Sequence, residues 1–419
     1  MKKFFYIPVL LMGLCVHFLE SVPVGVRTFS VNSGLFTSGK RDFGNSNRGV
    51  ALFAQEIYQA YGCGFDAFFK DNPEKRSSWA FWNLIPNYWI AQAAGTMFHE
   101  FGHWSRFKSV GVKKPSLDIG HKVKGKYHSP VPFFFAMLLK APLKHEGITG
   151  DTGDKDFTPK DSPYYLPHET PTMAAALVFS AGGMNNAMRL SSDLSDRLYQ
   201  GKGHIVEFMP YFRGRLEGWI YGVVEEDDSS GNDIGAMVGY YKDRQLDIRK
   251  GTIGTMALTS FFLSASTYSY IMAMYDYDET GDPVPQPLTF WSIRLPDFES
   301  YALREGLSLK IKTGYQINDT LHIPVAVETV VRGNKGAEVS LGLSKRLESL
   351  NNLALNGYVR FGRALEWGAM LHAPVASRAF VEGGLDSFHV KSYDGQRNIP
   401  SLGKGARAMS FIVRAGVTY

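Results

Sequence analysis

Two hydrophobic rhythms divide this chain. Over residues 45–280 the apolar positions recur three and four apart, in PVPFFFAMLLKAPL (130–143), TMAAALVFSAGGMNNAMRL (172–190), VEFMPYFRGRLEGWIYGVV (206–224) and GTIGTMALTSFFLSASTYSYIMAM (251–274). That spacing puts the apolar side chains on one face of a helix. After the proline-rich join GDPVPQPLTF the period becomes two. In LSLKIKTGYQI, Leu307, Leu309 and Ile311 alternate with Ser308, Lys310 and Lys312, and AEVSLGLSKRL, LALNGYVRFG, LEWGAMLHA and AFVEGGLDSF follow, separated by short turns. The last segment, SFIVRAGVTY, sets Phe411, Val413, Ala415, Val417 and Tyr419 on one face. The prediction is an α+β protein: a helical domain over 45–280, then an antiparallel β domain over 300–419 with about seven strands between Gly306 and Tyr419.

Strands near ten residues long with alternating hydrophobicity and a terminal aromatic are the pattern of an outer-membrane-type β-barrel. VPVGVRTFSVNSG (22–34) alternates too and supplies a candidate first strand. Paired with the C-terminal strand, it would close a barrel of about eight strands and leave no edge. The helical region would then be one long insertion after strand one. A soluble β-sandwich or meander gives the same alternation and remains the alternative.

The N-terminus supports export. Lys2 and Lys3 precede an apolar stretch from Phe4 to Phe18, so residues 1–21 are expected to be a signal peptide. With export, the expected location is the outer membrane or periplasm of a Gram-negative-type bacterium. None of the apolar helical stretches is a convincing bilayer span, and a mean hydropathy of −0.15 argues against a polytopic helical membrane protein. A chain of 419 residues is long enough for two units, and a net charge of +5 without a basic run argues against nucleic acid as partner. Cys15 and Cys63 are the only cysteines, and one of them lies in the signal segment, so no disulfide framework is expected.

The chemistry is concentrated in GTMFHEFGHWSRFKSVGV (95–112). On a helix His99 and His103 stand one turn apart on one face and can meet one ion, with Glu100 beside them as a base rather than a ligand. A chance HExxH would occur in roughly 1–2% of chains with this histidine content. Catalytic zinc has three protein ligands and one open position. The third is not supplied by a nearby histidine, which leaves His121, His128, His145, Glu169, Asp193, Glu217 and Asp233 as candidates. WAFWNLIPNYW (79–89) reads as core packing or as a membrane-interface belt.

FHEFGHWSRFKSVGV resembles the first motif of the site-2 protease family of intramembrane zinc metallopeptidases, and SAGGMNN (180–186) is similar to that family's alanine-glycine-proline-x-x-asparagine segment. The likeness covers roughly residues 85–245. Ala181, Gly182 and Asn186 match, with Gly183 where proline is usual. The resemblance implies Asn186 as an oxyanion or substrate-orienting residue, and an aspartate at the start of a later helix as third ligand. Asp233, in SSGNDIGAMVGYY, is the first choice, with Glu217 and Glu169 behind it. The expected function is a zinc-dependent metallopeptidase acting on a peptide or protein substrate at a membrane. His99, His103 and Asp233 would hold Zn2+, and Glu100 would be general base for a metal-activated water. The alternative is a non-enzymatic outer-membrane barrel (pore, adhesin or assembly factor) with a structural or vestigial metal site.

Overall fold

The computed structural model describes residues 28–32, 46–70, 72–109, 115–119, 123–143, 151–153, 171–224, 233–318, 320–350, 352–389, 391–398 and 407–418. The expected signal peptide, His121, His145 and Glu169 lie outside the described residues.

Strand β1 (Thr28–Asn32) leads into α1 (Ser46–Phe69), the short α2 (Pro73–Arg76) and the long α3 (Trp79–Ser109). Three short strands, β2 (Ser116–Ile119), β3 (Val123–Tyr127) and β4 (Asp151–Gly153), form a small antiparallel sheet with α4 (Pro130–Leu143) between the last two. The region expected to be wholly helical therefore carries a sheet as well. Then come α5 (Pro171–Tyr199), α6 (Phe208–Trp219), a π-helical turn (Ile220–Val224), α7 (Asp233–Asp243), α8 (Lys250–Leu263) and α9 (Ala265–Thr280). Gly281, at φ +68°, ends α9 in the left-handed conformation that glycine adopts without a Cβ penalty.

The second unit is antiparallel sheet, as the period-two pattern requires. It starts earlier than residue 300, with β5 (Thr289–Phe290) and β6 (Ile293–Leu303). Seven strands follow: β7 (Gly306–Asn318), β8 (Leu321–Gly333), β9 (Ala337–Leu347), β10 (Leu353–Phe361), β11 (Glu366–Pro374), β12 (Ala379–His389) and β13 (Arg407–Thr418), with the short α10 (Tyr393–Asn398) before the last. β1 pairs with β13, Thr28 opposite Thr418, so the early alternating segment does join the C-terminal strand. The result is one sheet in the order β1-β13-β12-β11-β10-β9-β8-β7-β6-β5.

Among the described residues this sheet of ten strands is not closed strand to strand, so the expected barrel is not shown. The physical reason is visible at β6, whose free edge is satisfied by side chains of the helical unit. Ser264 Oγ accepts from Phe298 N at 2.9 Å and donates to Phe298 O at 3.1 Å. Asn185 does the same for Ala302, donating to its carbonyl at 2.8 Å and accepting from its N–H at 3.0 Å. Backbone groups that would have recruited a strand are already partnered.

The sheet is inverted relative to a soluble one. Leu341, Leu343, Leu355, Val359, Trp367, Leu371, Val381, Leu385, Phe411 and Val413 are exposed, whereas Glu299, Lys312, Glu328, Glu338, Glu366, Glu382, Asp386 and Arg414 are buried. The polar face receives the helices. Arg414 reaches Glu56 of α1 at 3.0 Å and Glu382 at 3.3 Å, Arg48 of α1 reaches Asp386 at 3.4 Å, and Lys312 reaches Asp196 of α5 at 2.8 Å. Glu328 and Glu338 accept instead from Ser308 Oγ and the Tyr393 N–H, so these buried acids have hydrogen-bond partners as well. The helical unit has a conventional apolar core, including Phe65, Trp79, Phe98, Phe101, Trp104, Leu194, Leu198 and Tyr277.

Candidate metal centre

α3 and α5 cross at a glycine contact. A Cβ on Gly102 would lie 2.2 Å from the Gly182 carbonyl oxygen, so only glycine permits this approach of two backbones. Asn186 locks the crossing: its Nδ2 donates to Phe98 O at 2.8 Å, one residue before the first histidine. The next glycine, Gly183, faces the histidines themselves. A Cβ there would stand 2.4 Å from His99 Nε2 and 2.5 Å from His103 Nε2.

His99 and His103 are buried, their Nε2 atoms 2.9 Å apart. Asp233 opens α7, which is seated by buried Ile234, Met237, Tyr240 and Tyr241 in a core shared with Leu177 and Ala181 of α5. That seating brings Asp233 Oδ2 to 3.2 Å from His99 Nε2 and 3.0 Å from His103 Nε2. Among the described residues this is the cluster of three donors close enough together that they could hold a metal ion. The aspartate side chain is 21% exposed and the histidines 7% and 6%, so the centre opens on the Asp233 side.

The outer nitrogens reveal what the inner ones can do. His103 Nδ1 lies 2.8 Å from the Phe179 carbonyl, which only accepts, so this nitrogen carries the proton. His99 Nδ1 lies 3.1 Å from Glu217 Oε1, not aligned as a hydrogen bond, yet the carboxylate's charge favours a proton on that nitrogen. Each neutral ring then presents a bare Nε2 lone pair, and the two lone pairs converge with a carboxylate oxygen. Three acceptors this close are relieved of repulsion only by a proton or a metal ion between them. Four donors around tetrahedral Zn2+ at about 2.0–2.1 Å stand about 3.3 Å from one another; these are 2.9, 3.0 and 3.2 Å apart. Two imidazoles and a carboxylate, the imidazoles held from behind by a carbonyl and a second carboxylate, suit zinc in both size and chemistry.

Without a metal, protons take the cation's part. Burial disfavours the charged form of His99, yet Glu217 and Asp233 outweigh it and carry its pKa well above the usual histidine value. His103 is raised in the same way, burial opposing and Asp233 prevailing. Asp233 is also penalised by burial, but the two rings hold its carboxyl well below the usual range.

Of the residues predicted from sequence, His99, His103 and Asp233 come together, with buried Glu100 in the same turn of α3. Glu217 stands behind His99, on the nitrogen facing away from Asp233. Asn186 is buried, and its amide nitrogen donates to Phe98 O, which holds α3 against α5. Asp193 pairs with Arg189 in the next turn of α5, and His128 with the Pro115 carbonyl at 3.0 Å, neither in the cluster. Sequence reasoning missed three features. The sequence reads Gly183 as a departure from a proline and, with Gly182, as a source of a free backbone N–H, not as a contact with the histidine rings, and the Phe179 carbonyl carries no side-chain signal at all. The third is Tyr221, in the π-helical turn that follows Glu217, its ring stacked on His99 with centroids 5.8 Å apart and planes 18° from parallel. π-turns gather at functional sites; the spacing of Glu217 and Tyr221, four apart, was the only hint. No family model, curated protein or solved structure matches this chain.

Proposed function

We propose that the protein is a zinc-dependent peptidase anchored in a membrane by the outer face of its sheet. The observation that carries the catalytic half is the convergence of two histidine lone pairs and the Asp233 carboxylate beside Glu100, with three protein donors and an open side rather than the four of a structural site. The membrane half is supported by the inverted sheet, whose apolar side chains point outward and whose charges are buried, as in outer-membrane barrels. The sheet–helix assembly would thus be a barrel of outer-membrane type whose wall is completed by helices. The resemblance to site-2 proteases supports the same assignment of His99, Glu100, His103 and Asp233.

His99, His103 and Asp233 would hold Zn2+, which would supply Lewis acidity for the substrate carbonyl and for an attacking water. Glu100 accepts the proton of that water and returns it to the leaving amine. The Phe179 carbonyl fixes the tautomer and orientation of His103, and the Glu217 carboxylate favours a proton on His99 Nδ1. Tyr221, half-buried and stacked on His99, is our candidate donor of a hydrogen bond to the oxyanion, the role that the resemblance had given to Asn186. The substrate is a peptide or protein, and the location the outer membrane of a Gram-negative-type bacterium.

The test is metal content and proteolysis of native protein beside His99→Ala, Asp233→Ala and Glu100→Gln. One zinc per chain, absent from the first two variants and kept by an inactive Glu100→Gln, is the expected result. A folded native protein that binds no zinc would refute the catalytic reading and leave a non-enzymatic membrane protein.

A further inference from the structure

The band of apolar exposure does not stop at the sheet. Every exposed residue from Ala80 to Tyr88 in α3 is uncharged, with Phe81 at 68%, Trp82 at 60% and Ile85 at 71% exposure. On α8 and α9 the exposed positions from Gly251 to Tyr275 are likewise free of charge and include Phe262, Leu263, Ile271 and Met272. Charges resume at both limits: Glu74 and Lys75 before α3, Arg249 before α8, and Asp276, Asp278 and Glu279 after Tyr275.

These helices adjoin one another and the sheet. Trp79 of α3 packs edge-on to Tyr277 of α9 at 5.5 Å, Tyr268 Oη donates to Phe262 O at 2.8 Å, and Ser264 holds the free edge of β6 at Phe298. The exposed apolar surface of the helical unit therefore continues that of the strands across the place where a closing strand is missing.

We propose that α3 (its first half), α8 and α9 form a helical section of the membrane-facing wall, in contact with the same lipid as the outer face of the sheet. The inference rests on the reading of that face as lipid-facing. Lipid is favoured over a protein partner because outward apolar side chains recur on strand after strand and then on the helices, flanked by charge at the limits. A partner subunit would cover one patch, whereas a solvent wets every side. No helix among the described residues is long and apolar enough to cross a membrane alone. A wall helix need not be, since its inner face is buried in protein. At about 1.5 Å per residue, the charge-free part of α9 from Ala265 to Tyr275 extends about 16 Å, within the ~25 Å apolar band of outer-membrane barrels. The π-turn belongs to the same side of the molecule: Phe212 of α6 meets Phe261 of α8 at 5.5 Å, and Ile220 and Val223 are exposed on either side of Tyr221.

Nitroxide labels test this directly. The full chain with Cys15→Ser and Cys63→Ser is labelled at Phe81→Cys, Leu263→Cys or Ile271→Cys on the helices, at Leu355→Cys or Leu371→Cys on the sheet, and at Lys75→Cys or Glu279→Cys at the limits. Each protein is placed in phosphatidylethanolamine–phosphatidylglycerol vesicles, and collision with oxygen is compared with collision with a water-soluble nickel chelate. The expected result is an oxygen-to-nickel ratio on the helices equal to that on the sheet and about tenfold above that at the limits. Sheet labels in lipid with helix labels in water would overturn the inference and leave the membrane reading intact. All labels in water would overturn both. Helix labels shielded from both reagents would mean that a protein covers this face, and would overturn it too.

Discussion

Replacing Gly183 by alanine is the sharpest probe of the centre, because it adds one carbon and removes nothing. The new Cβ would lie 2.4 Å from His99 Nε2 and 2.5 Å from His103 Nε2, where van der Waals contact requires about 3.4 Å or more. Both rings must retreat by about 1 Å. They cannot do so freely. His103 is held through Nδ1 to the Phe179 carbonyl at 2.8 Å, and breaking that bond costs about 0.5–1.5 kcal/mol. His99 is backed by Glu217 at 3.1 Å and stacked on Tyr221. The methyl also occupies the side from which an ion would be held. Displacing two of three ligands should weaken Zn2+ binding at least 100-fold, about 2.7 kcal/mol. The fold should survive, since the clash falls on side-chain ring edges rather than on backbone. The assay is competition with a chromophoric zinc chelator, with thermal unfolding as the check on folding. Gly239→Ala in α7 is the control: nothing lies within 4 Å of its added Cβ, so it should bind zinc as the native protein does. A Gly183→Ala protein binding zinc within threefold of native would refute the reasoning, because it would mean that the ion is not where these nitrogens converge.

Three further outcomes are expected. Glu217→Gln keeps an acceptor behind His99 but loses its charge, so zinc affinity should fall about 10–100-fold without a change in fold, read by the same competition; a complete loss of zinc would instead make Glu217 a direct ligand. Tyr221→Phe should retain zinc and KM while kcat falls about 10²–10³-fold, if its phenol meets the oxyanion, and an unchanged kcat would remove it from the mechanism. The last concerns pH. His99 and His103 are raised in the metal-free fold, so their protonation stabilises that fold fully below the ordinary histidine pKa of about 6.5, and the contribution is lost as pH rises through the raised values. The zinc-loaded protein has no such proton to lose. The increase in Tm on adding zinc should therefore grow from pH 6 upward, and an increase that shrinks with pH would contradict the assignment.

The sequence by itself determined whatever depends on local periodicity. The switch from helical to alternating pattern near GDPVPQPLTF marks the change from helix to sheet, because side-chain direction repeats at 3.6 in one and at 2 in the other. His99, Glu100 and His103 were legible for the same reason, all three lying within a turn and a half of one helix. Asp233 was reachable only as a preference, since 130 residues separate it from His103 and nothing in its neighbours states what α7 packs against. Tertiary structure alone decided the rest. Gly102 and Gly182 mean little until two backbones meet at them, and Gly183 matters only because that crossing turns it toward the rings. The open sheet was likewise beyond periodicity: alternation tells a strand which faces it has, not what lies along its edge. Here Asn185 and Ser264, distant in sequence, satisfy the backbone of β6, and the partner of that last edge is a set of helices rather than a strand.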